Sequence, residues 1–229
     1  MIFELERENF SFPHPQYAEE DGLLAVGGDL TPKRLLTAYK HGIFPWYADD
    51  SPILWYAPHD RFVLYPNQLK VSKSMRKILS TTLFSFTYNT AFEKVIANCS
   101  KIDRKDQDGT WIVADMQKAY TELHHLGFAH SIEVWKDKEL VGGLYGVLVG
   151  KVFCGESMFS KVSNASKAAL IFLVQNFGIE LIDCQVHTSH LESMGAIYMP
   201  QQQYLDILQQ QDLKPDGLQR IPTVLHWDK

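Results

Sequence analysis

The residues best suited to chemistry lie in two short segments, Gly155-Glu156-Ser157-Met158-Phe159 and Leu181-Ile182-Asp183-Cys184-Gln185-Val186. Each reads as a strand that carries acidic or amide groups. Side chains two apart on a strand share a sheet face. Asp183 and Gln185 are therefore expected to point one way, and Ile182, Cys184 and Val186 the other. A carboxylate one pleat from an amide, among apolar neighbours, is costly unless the pair is hydrogen-bonded or used. On these residues alone two readings stand: a satisfied polar pair at a strand end, and a functional site. Cys184 and His187 suggest a thiol nucleophile only weakly, because Cys184 shares its side with core residues and no oxyanion element accompanies it. The three cysteines and nine histidines have no ligand spacing, so no metal is expected.

An α+β set of elements must position these segments. The first sixty residues are rich in loops. They hold one helix, capped by Asp29 or Thr31, with Pro32 in its first turn and its end at Gly42. A dense aromatic and proline stretch follows, Ile43-Phe44-Pro45-Trp46-Tyr47 and then Trp55-Tyr56-Ala57-Pro58. Residues 61–69 read as a strand, 71–79 as a basic helix and 84–88 as a short strand. Helices are expected at 91–99, capped by Asn89 or Thr90, and at 115–126, ended by Gly127. Between them, 103–109 reads as a mobile polar loop. Strands 129–135 and 140–149 form a hairpin around Lys136-Asp137-Lys138, and 152–159 adds a third strand after Gly150-Lys151. An amphipathic helix at 164–176, capped by Ser163 or Asn164, leads to strand 179–186, a helical turn at 190–194 and a helix at 202–211. Two helices, three antiparallel strands, a helix and a strand are the order of a GNAT-type acyltransferase core. That order carries no function by itself.

With 229 residues, 45% of them hydrophobic, the chain can bury a sizeable core. No apolar run is long enough to span a bilayer, and the acidic, mixed start is not a signal peptide. An odd number of cysteines without zinc spacing fits free thiols in a reducing cytoplasm. The net charge of −5 is uneven: residues 61–118 hold ten Lys/Arg against five Asp/Glu, a local +5, and the remainder carries −10. Lys70, Lys73, Arg76 and Lys77 fall at near-helical spacing and form either a solvated face or a phosphate-binding patch.

Several motifs occur in order. They are Gly22-Leu23-Leu24-Ala25-Val26-Gly27-Gly28-Asp29-Leu30, Gly42-Ile43-Phe44-Pro45-Trp46, Gly109-Thr110-Trp111-Ile112, His130-Ser131-Ile132-Glu133-Val134-Trp135, residues 142–146, 155–159, Asn164-Ala165-Ser166-Lys167 and residues 181–186. Together, over about residues 10–200, they closely resemble the bacterial leucyl/phenylalanyl-tRNA–protein transferase family. The resemblance implies a small N-terminal domain, 1–60, and a GNAT-like domain, 61–229, with a mainly antiparallel central sheet. It implies transfer of Leu or Phe from tRNA to proteins that begin with Arg or Lys, creating a degradation signal passed to a protease adaptor. No coenzyme A or metal takes part. The chain is then a cytoplasmic monomer with no membrane partner.

The same resemblance places Asp183 and Gln185 at the catalytic positions, with Asp183 anchoring Gln185 or the attacking amine. It places Glu156 against the acceptor's basic residue, a pairing that suits a carboxylate. Trp46, Trp111 and Tyr120 match the aminoacyl-adenosine end, where an aromatic can stack on adenine. Tyr39, Leu144, Phe153, Leu173 and Ile182 match the apolar pocket. Leu144 stands where some members have Met, and Leu173 where some have Phe. Gln201 stands where Arg is expected. Two other functions compete with this one. An acetyl-CoA-dependent N-acetyltransferase wants a glycine-rich loop before residue 164, but Ser160-Lys161-Val162-Ser163 has no glycine. A non-catalytic tRNA-binding module needs the basic block and not Asp183 with Gln185.

Overall fold

The computed structural model describes residues 1–101 and 112–218. The expected loop at 103–109, the motif at Gly109–Trp111 and the last eleven residues lie outside the described residues. The N-terminal part builds a four-stranded sheet from β1 (Phe3–Leu5), β2 (Leu23–Gly27), β3 (Phe44–Pro45) and β4 (Leu54–Tyr56), ordered β1-β2-β4-β3. Helix α1 (Pro32–Lys40) connects β2 to β3. Pro32 starts it, where a missing N–H costs nothing, and Gly42, at φ 71°, turns the chain after it. Asp29 accepts from the Thr31 amide at 2.9 Å and so orders the approach to the helix without capping it.

The rest of the chain runs β5 (Asp60–Leu64), α2 (Lys73–Leu79), β6 (Ser85–Tyr88), α3 (Phe92–Cys99), α4 (Ala114–His125), β7 (Ala129–Lys136), β8 (Glu139–Val149), β9 (Val152–Ser160), α5 (Ala165–Asn176), β10 (Leu181–Gln185), α6 (Ser189–Ser193), β11 (Ile197–Pro200) and α7 (Gln201–Gln209). Its seven strands form one sheet in the order β11-β5-β10-β9-β8-β7-β6. The α+β expectation and the GNAT-like order of elements hold. The sheet is mainly antiparallel but mixed, because β9 and β10 run parallel. Asp137 and Lys138, both at positive φ, make the tight two-residue turn between β7 and β8.

Some local expectations fail for physical reasons. The strand expected over 61–69 stops at Leu64, because Pro66 lacks a ladder donor and opens a 3₁₀ turn. The basic helix starts only at Lys73, capped by Ser72, which leaves Lys70 outside it. Asn89 and Thr90 do not cap α3: Asn89 serves the Ser131 amide and Thr90 the Glu133 carboxylate. Helix α5 is not amphipathic. Eight of its twelve residues are buried, because it lies across β7, β8 and β9 and is apolar nearly all round. Strand β11 is invisible to periodicity, since Ile197-Tyr198-Met199-Pro200 is too short and too exposed to alternate clearly.

Two apolar cores flank the large sheet. One joins Leu24, Trp55 and Leu35 of the N-terminal part to Val95, Met116 and Val147 under α3 and α4. The other packs α5 and α2 against Phe62, Ile132, Phe153 and Ile182. The strands between these cores hold the polar residues of the site.

Candidate active site

The site lies where the sheet parts. Strands β9 and β10 pair only over Val152–Cys154 and Leu181–Asp183, in parallel. Beyond that, β9 continues to Ser160 along β8, while β10 ends at Gln185. Two irregularities open the gap. Strand β9 slips in register against β8 beside Gly146, where any Cβ would sit 2.2 Å from the Cys154 carbonyl oxygen. Strand β10 bulges against β5 between Asp183 and Gln185, and Gln185 takes a left-handed φ of 62°. A cavity of about 800 Å³ fills the gap.

Its walls are Leu144, Phe153, Leu170 and Ile182, with Phe44 and Trp46 on the opposite side. Glu156, Asp183 and Gln185 supply its polar end, and residues 186–191 its rim. Asp183 and Gln185 both turn toward the side of the sheet that carries α1 and α4, as expected from the sequence. Gln185 gets there through the bulge and not through a regular pleat.

The two carboxylates are satisfied in different ways. Asp183 is fully buried and accepts four hydrogen bonds: Arg61 Nε at 2.8 Å, Arg61 Nη2 at 2.7 Å, Tyr204 Oη at 2.8 Å and the Gln185 backbone amide at 2.8 Å. That fills the lone pairs of a carboxylate. The anchoring of Gln185 is therefore present, while no position on Asp183 remains for an attacking amine. Burial alone would lower the Arg61 pKa, but Asp183 beside it raises it above the usual arginine value. Arg61 also donates to the Gly42 carbonyl at 2.9 Å and lies between the Phe44 and Tyr204 rings. It is thus no part of the surface charge counted over 61–118.

Among the described residues no cation pairs with Glu156. Its Oε1 accepts from Tyr39 Oη and Gln185 Nε2, each at 2.7 Å, and its Oε2 from Tyr120 Oη at 3.0 Å. The two phenol oxygens also touch each other. Burial pushes the Glu156 pKa up to about 7, against the pull of these donors. Burial also raises the Tyr39 and Tyr120 pKa values well above normal, so both phenols keep their protons.

The structure brings together Glu156, Asp183, Gln185, Trp46, Leu144, Phe153 and Ile182 as expected. Trp111 lies outside the described residues. Tyr120 does not offer a stacking face: it is fully buried, and its ring packs edge-on against Tyr39 and Tyr145. Tyr39 meets the site through its hydroxyl and not as an apolar wall. Leu173 is buried in the core away from the cavity, and Leu170 takes the wall position one turn earlier. Gln201 braces the N-terminal part instead of reaching outward, donating to the Ala57 carbonyl at 2.8 Å. Lys70, Lys73, Arg76 and Lys77 are all exposed, and all of them lie apart from the cavity.

Arg61 and Tyr204 complete the site, and sequence reasoning misses both. The one signal is a lone arginine heading the apolar run 62–64, a position that asks for a buried acid. Among the described residues no group of three or more His, Cys, Asp or Glu is placed to hold a metal ion. No helix there is long and apolar enough to cross a membrane.

Comparison with known proteins agrees with the motif reading. Residues 63–209 match the family model described as leucyl/phenylalanyl-tRNA protein transferase, and residues 28–59 that of its N-terminal domain. A leucyl/phenylalanyl-tRNA–protein transferase of Syntrophus aciditrophicus is 54% identical over 207 residues, 89% of this chain and 87% of that one. One of Flavobacterium johnsoniae is 54% identical over 86% of this chain and 94% of its own. One of Yersinia enterocolitica is 51% identical over 93% and 92%. Among solved structures, a GCN5-related N-acetyltransferase from Kribbella flavida aligns over 74% of this chain and 61% of its own at 10% identity. Its TM-score of 0.34 is too loose a likeness to carry an argument.

Proposed function

The chain belongs to the leucyl/phenylalanyl-tRNA–protein transferase family, and from that premise we propose that it moves Leu or Phe from aminoacyl-tRNA to the N-terminal α-amine of proteins beginning with Arg or Lys. One observation carries this reading: an apolar cavity ending at an amide and a cation-free carboxylate, Gln185 and Glu156, in the parting of the sheet. The aminoacyl side chain fits against Leu144, Phe153, Leu170 and Ile182, where an apolar wall favours Leu and Phe over polar residues. Trp46, half-buried in the lining of the cavity and tilted against Tyr56, supplies an aromatic face for the terminal adenosine.

The reaction is aminolysis of an ester, so no side-chain nucleophile is needed. Gln185 is fixed at both ends, its backbone N–H held by Asp183 and its Nε2 by Glu156. Its Oε1 is left to accept from the incoming amine and orient the nitrogen lone pair toward the ester carbon. Arg61 and Tyr204 hold Asp183, so they position Gln185 from behind. Glu156 also supplies negative charge for an acceptor that begins with Arg or Lys. Lys70, Lys73, Arg76 and Lys77 form the patch that meets tRNA phosphates. Residues 1–60 and 61–229 act as two units; the protein works as a cytoplasmic monomer and hands its product to a protease adaptor.

Acetyl-CoA use is disfavoured by more than the missing glycine. At the start of α5 the Ala165 amide bonds the Val162 carbonyl and the Ser166 amide the Ser160 hydroxyl, so neither is open to pyrophosphate. Purified protein freed of metal by chelation, given leucyl-tRNA and a peptide beginning with Arg, should yield the leucyl peptide by mass spectrometry. No product from folded protein would sink the proposal.

A further inference from the structure

Tyr39, Tyr120 and Glu156 close a ring of three oxygen contacts at the polar end of the cavity. Two phenols bring two protons. With Glu156 ionised, one of those protons is shared between two oxygens. With Glu156 protonated on its free acceptor position, both phenol protons stay in the ring and the third proton faces the cavity. The ring therefore holds two or three protons without moving a heavy atom. It also has an opening. Oε1 already accepts twice and Oε2 once, so Oε2 keeps one acceptor position. Asp183, with all four positions filled and a guanidinium against it, has neither property.

We infer that Glu156, backed by Tyr39 and Tyr120, takes the proton released by the attacking amine and returns it to the departing ribose oxygen. This rests on the aminoacyl-transfer reading. The neutral amine attacks the ester carbon, and the C–N bond forms. The nitrogen gives a proton to Oε2. The C–O bond to ribose then breaks, the ribose oxygen takes a proton from the ring, and the ring ends as it began. Burial, which brings Glu156 to about 7, suits a group that must both take and return a proton near neutrality. Glu156 is the catalytic group here, since it lines the cavity; Tyr39 and Tyr120 act through it and are positioning residues. The other titratable groups that face the ring are Tyr145 on β8, Cys154 on β9 and Asp183 on β10, the last neutralised by Arg61.

Two measurements test this. Infrared difference spectra of the protein alone, between pH 5 and pH 8, should contain a protonated-carboxyl band that titrates near neutrality and is absent from Glu156→Gln. Lack of that difference overturns the ring. In single turnovers with an aminoacyl-adenosine donor, Glu156→Gln should lower the rate by ~10²–10⁴. It should also remove the acidic limb that stays fixed when acceptors of different amine pKa are compared. Tyr39→Phe and Tyr120→Phe should keep that limb but move its midpoint. Full-rate transfer by folded Glu156→Gln overturns the catalytic step alone, whereas a wild-type protein that transfers nothing overturns the functional reading beneath it.

Discussion

Among the described residues, two buried carboxylates have hydroxyl rings and no cation, in two regions of one sheet. At the β6–β7 side, Glu133 is fully buried and takes Ser131 Oγ and Thr87 Oγ1, each at 2.5 Å, and Thr90 Oγ1 at 3.0 Å. Thr90 and Thr87 also bond each other, so this too is a closed ring of hydroxyls and a carboxylate. At the parting of β9 and β10, Glu156 has the same kind of ring, made of phenols. The partners are equivalent in hydrogen-bonding type, and the surroundings are not. Strand β7 pairs with β6 and β8 on either side of Glu133, whereas β9 parts from β10 just before Glu156. A satisfied buried acid becomes a chemical group when the ladder beside it opens. Glu133 then serves to tie β6 and the approach to α3 to β7.

The largest effect expected from this contrast is on turnover. Glu133→Gln should leave turnover per folded molecule unchanged, while Glu156→Gln loses ~10²–10⁴. Equal losses in a single-turnover assay would erase the distinction between the sealed ring and the open one.

The next effect falls on stability, at the carboxylate that does have a cation. Arg61→Met strands Asp183 in the core, and removing one partner of a buried pair costs about 3–5 kcal/mol. Urea unfolding at neutral pH measures it. A loss within the range of a surface pair, under about 1 kcal/mol, would mean that the Arg61–Asp183 knot does not hold β5 to β10.

A pH series separates the rings more finely. The folded pKa of Glu156, about 7, lies above its unfolded value. The stability it contributes as an acid is fully present below about pH 4.5 and is lost as pH rises through about 7. The stability of the wild type relative to Glu156→Gln should therefore fall over that window, by on the order of 3 kcal/mol. His130, which burial lowers to about 4, works in the opposite direction, its contribution fading as pH falls from the usual histidine value. It is present in both proteins and cancels in the difference. A flat difference between about pH 4.5 and 7 would show that Glu156 is not held as an acid.

Much of this arrangement is legible in the sequence, because periodicity and motif spacing are local. The hairpin at Asp137-Lys138 and the helix started by Pro32 follow from neighbours in the chain, whereas Asp183 and Gln185 share a side only through a bulge against β5, which no regular pleat foretells. The knot and the ring do not follow from neighbours either. Arg61 meets Asp183 across 122 positions, and Tyr39 meets Glu156 across 117. A tyrosine on an apolar helix face looks like core packing until the fold aims its hydroxyl at an acid. Reading Tyr120 as a stacking platform and Tyr39 as an apolar wall fails for this one cause. Leu173 fails more simply: α5 is buried nearly all round, so its sequence does not say which side borders the cavity.

The smallest effect is expected where little is buried. Lys73, Arg76 and Lys77 stand exposed on α2, with Lys70 just before it, and among the described residues no acid lies within ion-pair distance of any of them. Arg61 has been drawn inside to neutralise Asp183, so this patch carries much of the positive charge its segment shows to solvent. Charge that serves only a phosphate backbone should act through counterions and not through the chemistry of either ring. Lys73→Ala with Lys77→Ala should weaken tRNA binding and flatten its dependence on salt, by about one unit of slope for each phosphate left unneutralised. Transfer from an aminoacyl-adenosine donor, which has no stem to bind, should be nearly unchanged. A salt slope that does not move would reduce the patch to a solvated face. Equal losses with both donors would tie α2 to the cavity itself, and chemistry in this protein would then not be confined to the place where the sheet opens.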